Sequence, residues 1–293
     1  MTVHGNGANG HVNGNGNGAR PDPALVRDLS PKENGNGHNG RGRVSKAVIL
    51  AGGRGTRLAP YTSVLPKPLM PVGERAILEI LVDQLVDQGL SDISFCVGYL
   101  SHLIRAVFDS RPEPRTSITY VQEKEALGTA GPLRLVPGLD ETFVAMNGDV
   151  LTTIDFEALV RHHHESGNVF TVATHERTVK INYGVVYLDE SEDANGRVQV
   201  WEEKPEIASL VSMGIYVIEP RALDYIPSER FDIPDLIQAL LAAGEQVGSF
   251  THRGLWFDIG RHDDYEQAVA IWLANREVDD ANARTAVENG THR

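Results

Sequence analysis

Leu50-Ala51-Gly52-Gly53-Arg54-Gly55-Thr56-Arg57-Leu58, followed by Leu65-Pro66-Lys67-Pro68-Leu69-Met70-Pro71, is the stretch that decides the fold. A short apolar run, Val44 to Leu50, feeds a glycine-rich turn, the pattern of a strand that ends at an anion site. Glycines let backbone N–H groups approach and surround phosphate oxygens. Two arginines and a lysine set between two prolines add positive charge for the same anion. A plain turn with solvated arginines would not need the second, Pro-Lys-Pro element.

The commoner phosphate motifs are excluded. No Lys-Ser or Lys-Thr follows these glycines at the offset of a Walker loop. Gly53-Arg54-Gly55 begins like a dinucleotide fingerprint, but Leu58 stands where the third glycine belongs. Pro60 argues against an immediate helix.

The chain has 293 residues, enough for a substantial core. Its net charge of −13 disfavours binding to nucleic acid or an anionic membrane through bulk charge. Cys96 is the lone cysteine and lies in the apolar run Ile93–Val97, so a buried core thiol is expected. No apolar stretch approaches the ~20 residues of a membrane span. The N-terminus lacks the apolar core of a signal peptide. A cytoplasmic enzyme is the expectation.

Residues 1–43 are dominated by Asn-Gly repeats, which cannot bury enough apolar surface to order themselves, and read as a disordered extension. Pro23–Leu29 within it could form a short helical element. Residues 277–293 read as a flexible tail. Between them strand and helix patterns alternate. Val44–Leu50, Ile93–Val97, Ser117–Val121 and Thr142–Met146 read as strands. Ala76–Gln88, Ser101–Phe108, Thr129–Val136 and Asp155–Ser166 read as helices, with Asp155 as an N-cap. This order implies a parallel sheet covered on both faces, with ligands beyond the carboxyl ends of its strands. From Asn168 onward strands dominate, at Val169–Thr174, Tyr183–Leu188, Arg197–Glu202 and Val211–Ile218, followed by helices at Ile233–Ala243 and Asp263–Ala274.

Asn147-Gly148-Asp149 ends a buried strand, and Asp149 there is a natural Mg²⁺ ligand. Trp256-Phe257-Asp258-Ile259-Gly260 offers a second carboxylate. Either aspartate alone could simply cap a turn. Lys204, fixed by the following proline in Glu203-Lys204-Pro205, suits a second anion. Gly128, in Glu123–Gly131, permits close approach of a flat ring. His162-His163-His164 reads as a solvated helix face, because consecutive helical residues point in different directions.

Taken in order, Gly52–Leu58, Pro66-Lys67-Pro68, Leu127-Gly128-Thr129-Ala130-Gly131, Asn147-Gly148-Asp149, Tyr183-Gly184-Val185-Val186, Glu203-Lys204-Pro205 and Trp256–Gly260 resemble the sugar-1-phosphate nucleotidyltransferases. The resemblance covers about residues 44–275 and is greatest to the mannose-1-phosphate and heptose-1-phosphate guanylyltransferases. It implies a Rossmann-like three-layer αβα fold with a mixed central sheet, a β-rich sugar-binding extension and no C-terminal β-helix. The nucleotidyltransferase domain would span 44–276, the nucleotide-binding part being about 44–150 and the sugar-phosphate part about 151–276.

Carried over by position, the resemblance gives Arg57 and Lys67 the catalytic role of binding the triphosphate and stabilising charge. Leu50, Ala51, Gly52, Gly53, Gly55, Thr56, Gln122, Glu123, Gly128 and Thr129 would join them in holding the nucleotide. Asp149 and Asp258 would hold Mg²⁺. Gly148, Tyr183, Gly184, Glu203, Lys204, Ser212 and Met213 would face the sugar phosphate. The implied reaction condenses GTP with a sugar-1-phosphate and releases pyrophosphate. ATP, dTTP or UTP in place of GTP stays open, as do a non-catalytic nucleotide-sugar-binding subunit and a homo-oligomer. One departure stands out. Mannose-specific relatives carry Asn-Ala-Gly before a late-strand Tyr, where this chain has Ser212-Met213-Gly214. A heptose, another hexose or a cyclitol phosphate is therefore the expected acceptor.

Overall fold

The computed structural model describes residues 44–111, 116–189, 191, 195–260, 262 and 265–275. Pro23–Leu29 and both tails lie outside the described residues. The elements are, in order, β1 (Lys46–Ala51), β2 (Pro71–Val72), β3 (Arg75–Ala76), α1 (Ile77–Asp87), β4 (Asp92–Val97), α2 (Ser101–Asp109), β5 (Ser117–Gln122), β6 (Phe143–Asn147), β7 (Val150–Thr152) and α3 (Phe156–Ser166). They continue with β8 (Phe170–Lys180), β9 (Gly184–Leu188), β10 (Val198–Glu203), β11 (Glu206–Ile218), α4 (Ile233–Ala242), β12 (Val247–His252) and β13 (Trp256–Asp258), and α5 covers 265–275.

The central sheet has seven strands in the order β12-β8-β11-β6-β1-β4-β5. β1 pairs in parallel with both β4 and β6, as the alternating pattern requires. β11 runs antiparallel to β6 and to β8, which makes the sheet mixed.

Strand alternation sorts the core into layers. Ala47 and Ile49 of β1, Phe95 of β4 and Met146 of β6 face α1, α2 and α3. Val48, Cys96 and Ala145 point the other way, against Leu133, Val136 and α4 residues Leu236 and Leu240. Cys96 is a buried free thiol, and burial, with a smaller push from Glu123, drives it up to about 12. A third cluster joins Leu58, Met70, Ile77, Leu151 and Ile259 to Trp272 of α5, and so lies beneath the glycine-rich loop. Among the described residues there is no β-helix.

Local signals hold where a cap is present. Asp155 accepts a hydrogen bond from the Ala158 N–H at 2.8 Å and starts α3, which Gly167 ends at φ 66°. Thr129–Val136 is not an α-helix. It is a turn followed by a 3-10 segment, Gly131–Leu135. Pro132 lacks an N–H, and the N–H groups of Ala130 and Gly131 both bond the Phe231 carbonyl instead. The histidine run is not a solvated face either. His163 is fully buried, its ring bonded to the Thr171 hydroxyl at 2.8 Å and to Glu219 at 3.2 Å.

Candidate functional site

The site forms where β1, β4, β5 and β6 end on one edge of the sheet. Leaving β1, residues 52–57 run along the surface, with Gly53, Arg54, Thr56 and Arg57 exposed. The Thr62 hydroxyl, buried beneath them, donates to the Gly55 carbonyl at 2.8 Å and fixes the turn. Arg57 lies in the 3-10 turn Thr56–Leu58. The next 3-10 turn, Lys67–Leu69, carries Lys67 inward until it is only 9% exposed.

Lys67 is the centre of the arrangement. Its ammonium bonds Asp149 directly and stands 3.8 Å from Asp258 Oδ1. Asp149 follows β6, and Asp258 ends β13, which pairs antiparallel with β7 and so brings Asp258 opposite Val150. The Ile259 N–H also donates to the Asp149 carbonyl at 3.2 Å. Burial raises the Asp258 pKa, the Asp149 carboxylate raises it further, and Lys67 and Arg57 partly offset both. Asp149 Oδ1 is buried without a hydrogen-bond partner. Two close carboxylates, one short of charge compensation and the other with an orphaned oxygen, fit a hard divalent cation that takes one or two protein carboxylates.

On the other side of the loop, Glu123 lies against Gly52, where a Cβ would sit 2.6 Å from Glu123 Oε1. The Leu127 N–H donates to Glu123 Oε2 at 3.1 Å. Burial raises the Glu123 pKa and this bond partly lowers it. Gln122 ends β5 with its side chain exposed, and Leu50 and Ala51 end β1. Gly128 adopts φ +84°, and a Cβ there would meet the Phe231 carbonyl oxygen at 2.5 Å. A close approach to another piece of this chain therefore also demands glycine here. Thr129 is held by Asp232, which the sequence reading did not single out. The Asp232-Ile233-Pro234 helix start was the available signal.

The sugar-phosphate set is less concentrated. Gly148 sits between Asn147 and Asp149, and its N–H bonds the Leu50 carbonyl at 3.0 Å. Gly184 and Glu203 pair at the end of the separate β9-β10 ribbon, and just beyond it the Lys204 N–H donates to the Tyr183 carbonyl at 3.2 Å. Gly184 packs on the Trp201 ring, and Tyr183 is 78% exposed. Lys204 occupies the left-handed region at φ 49°, an unusual conformation for a side-chain-bearing residue. Ser212 is exposed, its hydroxyl 3.3 Å from that of Tyr216. Met213 corrects the expectation: its side chain is 1% exposed and packs in the core with Ile215 and Val217. Alternation along β11 turns Met213 inward and Ser212 to the opposite face. Only the Met213 backbone remains polar there, its carbonyl accepting from the Trp256 indole N–H at 3.1 Å. Arg177, also missed in the sequence, lies 5.1 Å from the Trp256 ring centroid.

The chain is similar to known proteins over most of its length. A uridylyltransferase for UTP and glucose-1-phosphate from Synechocystis sp. is 34% identical over 254 residues, 80% of this chain and 64% of that protein. Mannose-1-phosphate guanyltransferase beta-B of Xenopus laevis is 33% identical over 235 residues, 78% of this chain and 64% of its own length. The chain therefore spans less than two thirds of these curated relatives. The crystal structure of HddC from Yersinia pseudotuberculosis matches the fold with a TM-score of 0.60 at 22% identity, covering 78% of this chain and 100% of that one. A further structure of HddC holds GMP-PN. The nucleotidyl transferase family model matches residues 46–275. With the glycine-arginine loop, Lys67 and the paired aspartates all inside that match, the chain belongs to the nucleotidyl transferase family.

Proposed function

We propose that the chain transfers a nucleotidyl group from GTP to a sugar-1-phosphate, giving a nucleotide sugar and pyrophosphate. The observation that carries this is Lys67 seated between Asp149 and Asp258 at the foot of the exposed glycine-arginine loop. A sugar-1-phosphate oxygen is already anionic at neutral pH and needs no general base. It attacks the α-phosphorus in line, forming one P–O bond as the bond to the pyrophosphate oxygen breaks. The residues' task is to align two repelling anions and neutralise the charge between them.

In this reading residues about 44–150 hold the nucleotide and about 151–276 the sugar phosphate. Arg57 and Lys67 neutralise the triphosphate. Glu123, Gly128 and Thr129 border the base and ribose. Lys204 binds the sugar phosphate, and Glu203, Tyr183 and Gly184 border the sugar. Asp149 and Asp258 would hold Mg²⁺, which would supply further charge neutralisation at the phosphates. Ser212, in place of a longer amide side chain, supports an acceptor other than mannose-1-phosphate. GTP is favoured by the guanyltransferase relatives and by the GMP-PN bound to HddC. UTP is the second reading, favoured by the 34% identical uridylyltransferase.

A pyrophosphate-release assay crossing GTP, UTP, ATP, CTP and dTTP with a panel of hexose-, heptose- and cyclitol-phosphates tests the proposal. The expected result is release with GTP and one acceptor class, abolished by EDTA. Release with UTP alone would select the second reading. No release with any pair would replace both with a non-catalytic nucleotide-sugar-binding role.

A further inference from the structure

The turn before α4 is bonded to the loop at Leu127–Gly131 across about a hundred residues of sequence. Thr129 donates to Asp232 Oδ1 twice, from its N–H at 2.9 Å and its hydroxyl at 3.3 Å. The Thr129 hydroxyl accepts in return from the Ile233 N–H at 2.8 Å. The Phe231 carbonyl accepts from the Ala130 and Gly131 N–H groups at 3.0 and 3.1 Å, and its own N–H donates to the Leu127 carbonyl at 2.9 Å. Asp232 Oδ2 faces Arg230 at 3.2 Å. Asp232 thus holds the loop at the point where it turns past Glu123, while Gly128 has no side chain to push the two segments apart.

We propose that Asp232 is a positioning residue for the nucleotide. It touches no reacting group. It fixes the backbone of Gly128 and Thr129 so that the loop meets the base and ribose already in its bound shape. The inference rests on the nucleotide-binding reading of that loop. A preordered loop loses less conformational entropy on binding, so the consequence falls on nucleotide affinity and not on the chemical step.

The test uses the full chain. In Asp232→Ala, KM for GTP should rise at least ~10-fold, the scale of losing a hydrogen bond to a charged group. KM for the sugar phosphate and kcat should stay within about threefold, less than the ~10-fold that 1.4 kcal/mol represents. Asp232→Asn keeps the Oδ1 acceptor and should restore KM for GTP. Asp232→Ser keeps a good helix N-cap but is too short to reach Thr129, and should reproduce the alanine effect without loss of folding. Equilibrium binding of GTP and UTP without acceptor reads the same effect independently of turnover. A wild-type protein that binds nucleotide but turns over no acceptor would overturn the proposed reaction, and a ~10-fold loss of binding in Asp232→Ser would still support the positioning role. Unchanged nucleotide affinity in folded Asp232→Ser, or an equal rise in both KM values, would overturn it. A wild type that binds neither nucleotide would overturn both.

Discussion

A lysine that is 9% exposed is retained only where its charge is compensated, and Lys67 has two aspartates for this. Asp149 Oδ1 is nevertheless left without a partner, and burial, followed by the Asp149 carboxylate, raises the Asp258 pKa. That imbalance fits the proposed role of the site in holding a cation and a polyphosphate. Removing the Lys67 charge should therefore depress turnover more than substrate binding. Lys67→Ala and Arg57→Ala should each lower kcat by at least ~10²-fold, as for loss of one charge-stabilising donor, measured by steady-state pyrophosphate release. Asp258→Asn should have opposite effects on function and stability. It should raise the Mg²⁺ concentration needed for turnover, yet raise the melting temperature of the metal-free protein by relieving the repulsion with Asp149. A lower melting temperature would show that Asp258 is a structural partner of Lys67 instead.

Elements carry the next set of properties. α3 packs on the sheet through His163, whose ring faces Thr171 and Glu219, with His162 and His164 beside it. Burial holds the His163 pKa below its ordinary value; the Glu219 carboxylate offsets this only in part. The unfolded chain, with histidines near 6.5, then binds protons that the folded state refuses. This contribution to stability is whole above about pH 6.5 and is lost as pH falls through 6.5 towards the lower folded pKa. Thermal melts between pH 7.5 and 5 should show that loss, and His163→Gln should flatten it. A slope remains in that variant because burial lowers the His252 pKa in the same direction. β10 is exposed along its whole length, as is Lys204 just after it, so Lys204 can be changed without touching the core. Lys204→Ala should raise KM for the sugar phosphate ~10-fold or more, the scale of a charged hydrogen bond, with nucleotide binding unchanged. An equal loss of nucleotide affinity would place Lys204 on the triphosphate.

At the scale of the whole molecule, the site draws on segments from β1 through β13, so a bound ligand should stabilise the fold as a unit. GTP with Mg²⁺ at a hundredfold excess over Kd should add about 2.7 kcal/mol, a rise of roughly 5–10 °C in melting temperature for a domain of this size. Differential scanning fluorimetry reads it, and no shift with any nucleotide would contradict the site. Residues 50–71, the apolar runs at β1, β4 and β6 and the Asp155 cap were legible in the chain, because each depends on neighbours a few positions away. The α/β order and the anion loop followed from them. The 3-10 path after Thr129 was not legible, since its carbonyl partner is Phe231. Nor was the burial of His163, whose partner Glu219 lies at the end of another strand. Met213 was within reach: period-two alternation with Ile215 and Val217 marks it as core. Sequence alone determined the strand, the glycine turn and the placing of the cations along the chain, because steric freedom and charge are local properties. Tertiary structure alone decided that Asp258 joins Asp149 at Lys67 and that Asp232 holds Thr129, because both depend on pairings between distant segments that only folding brings within hydrogen-bond range.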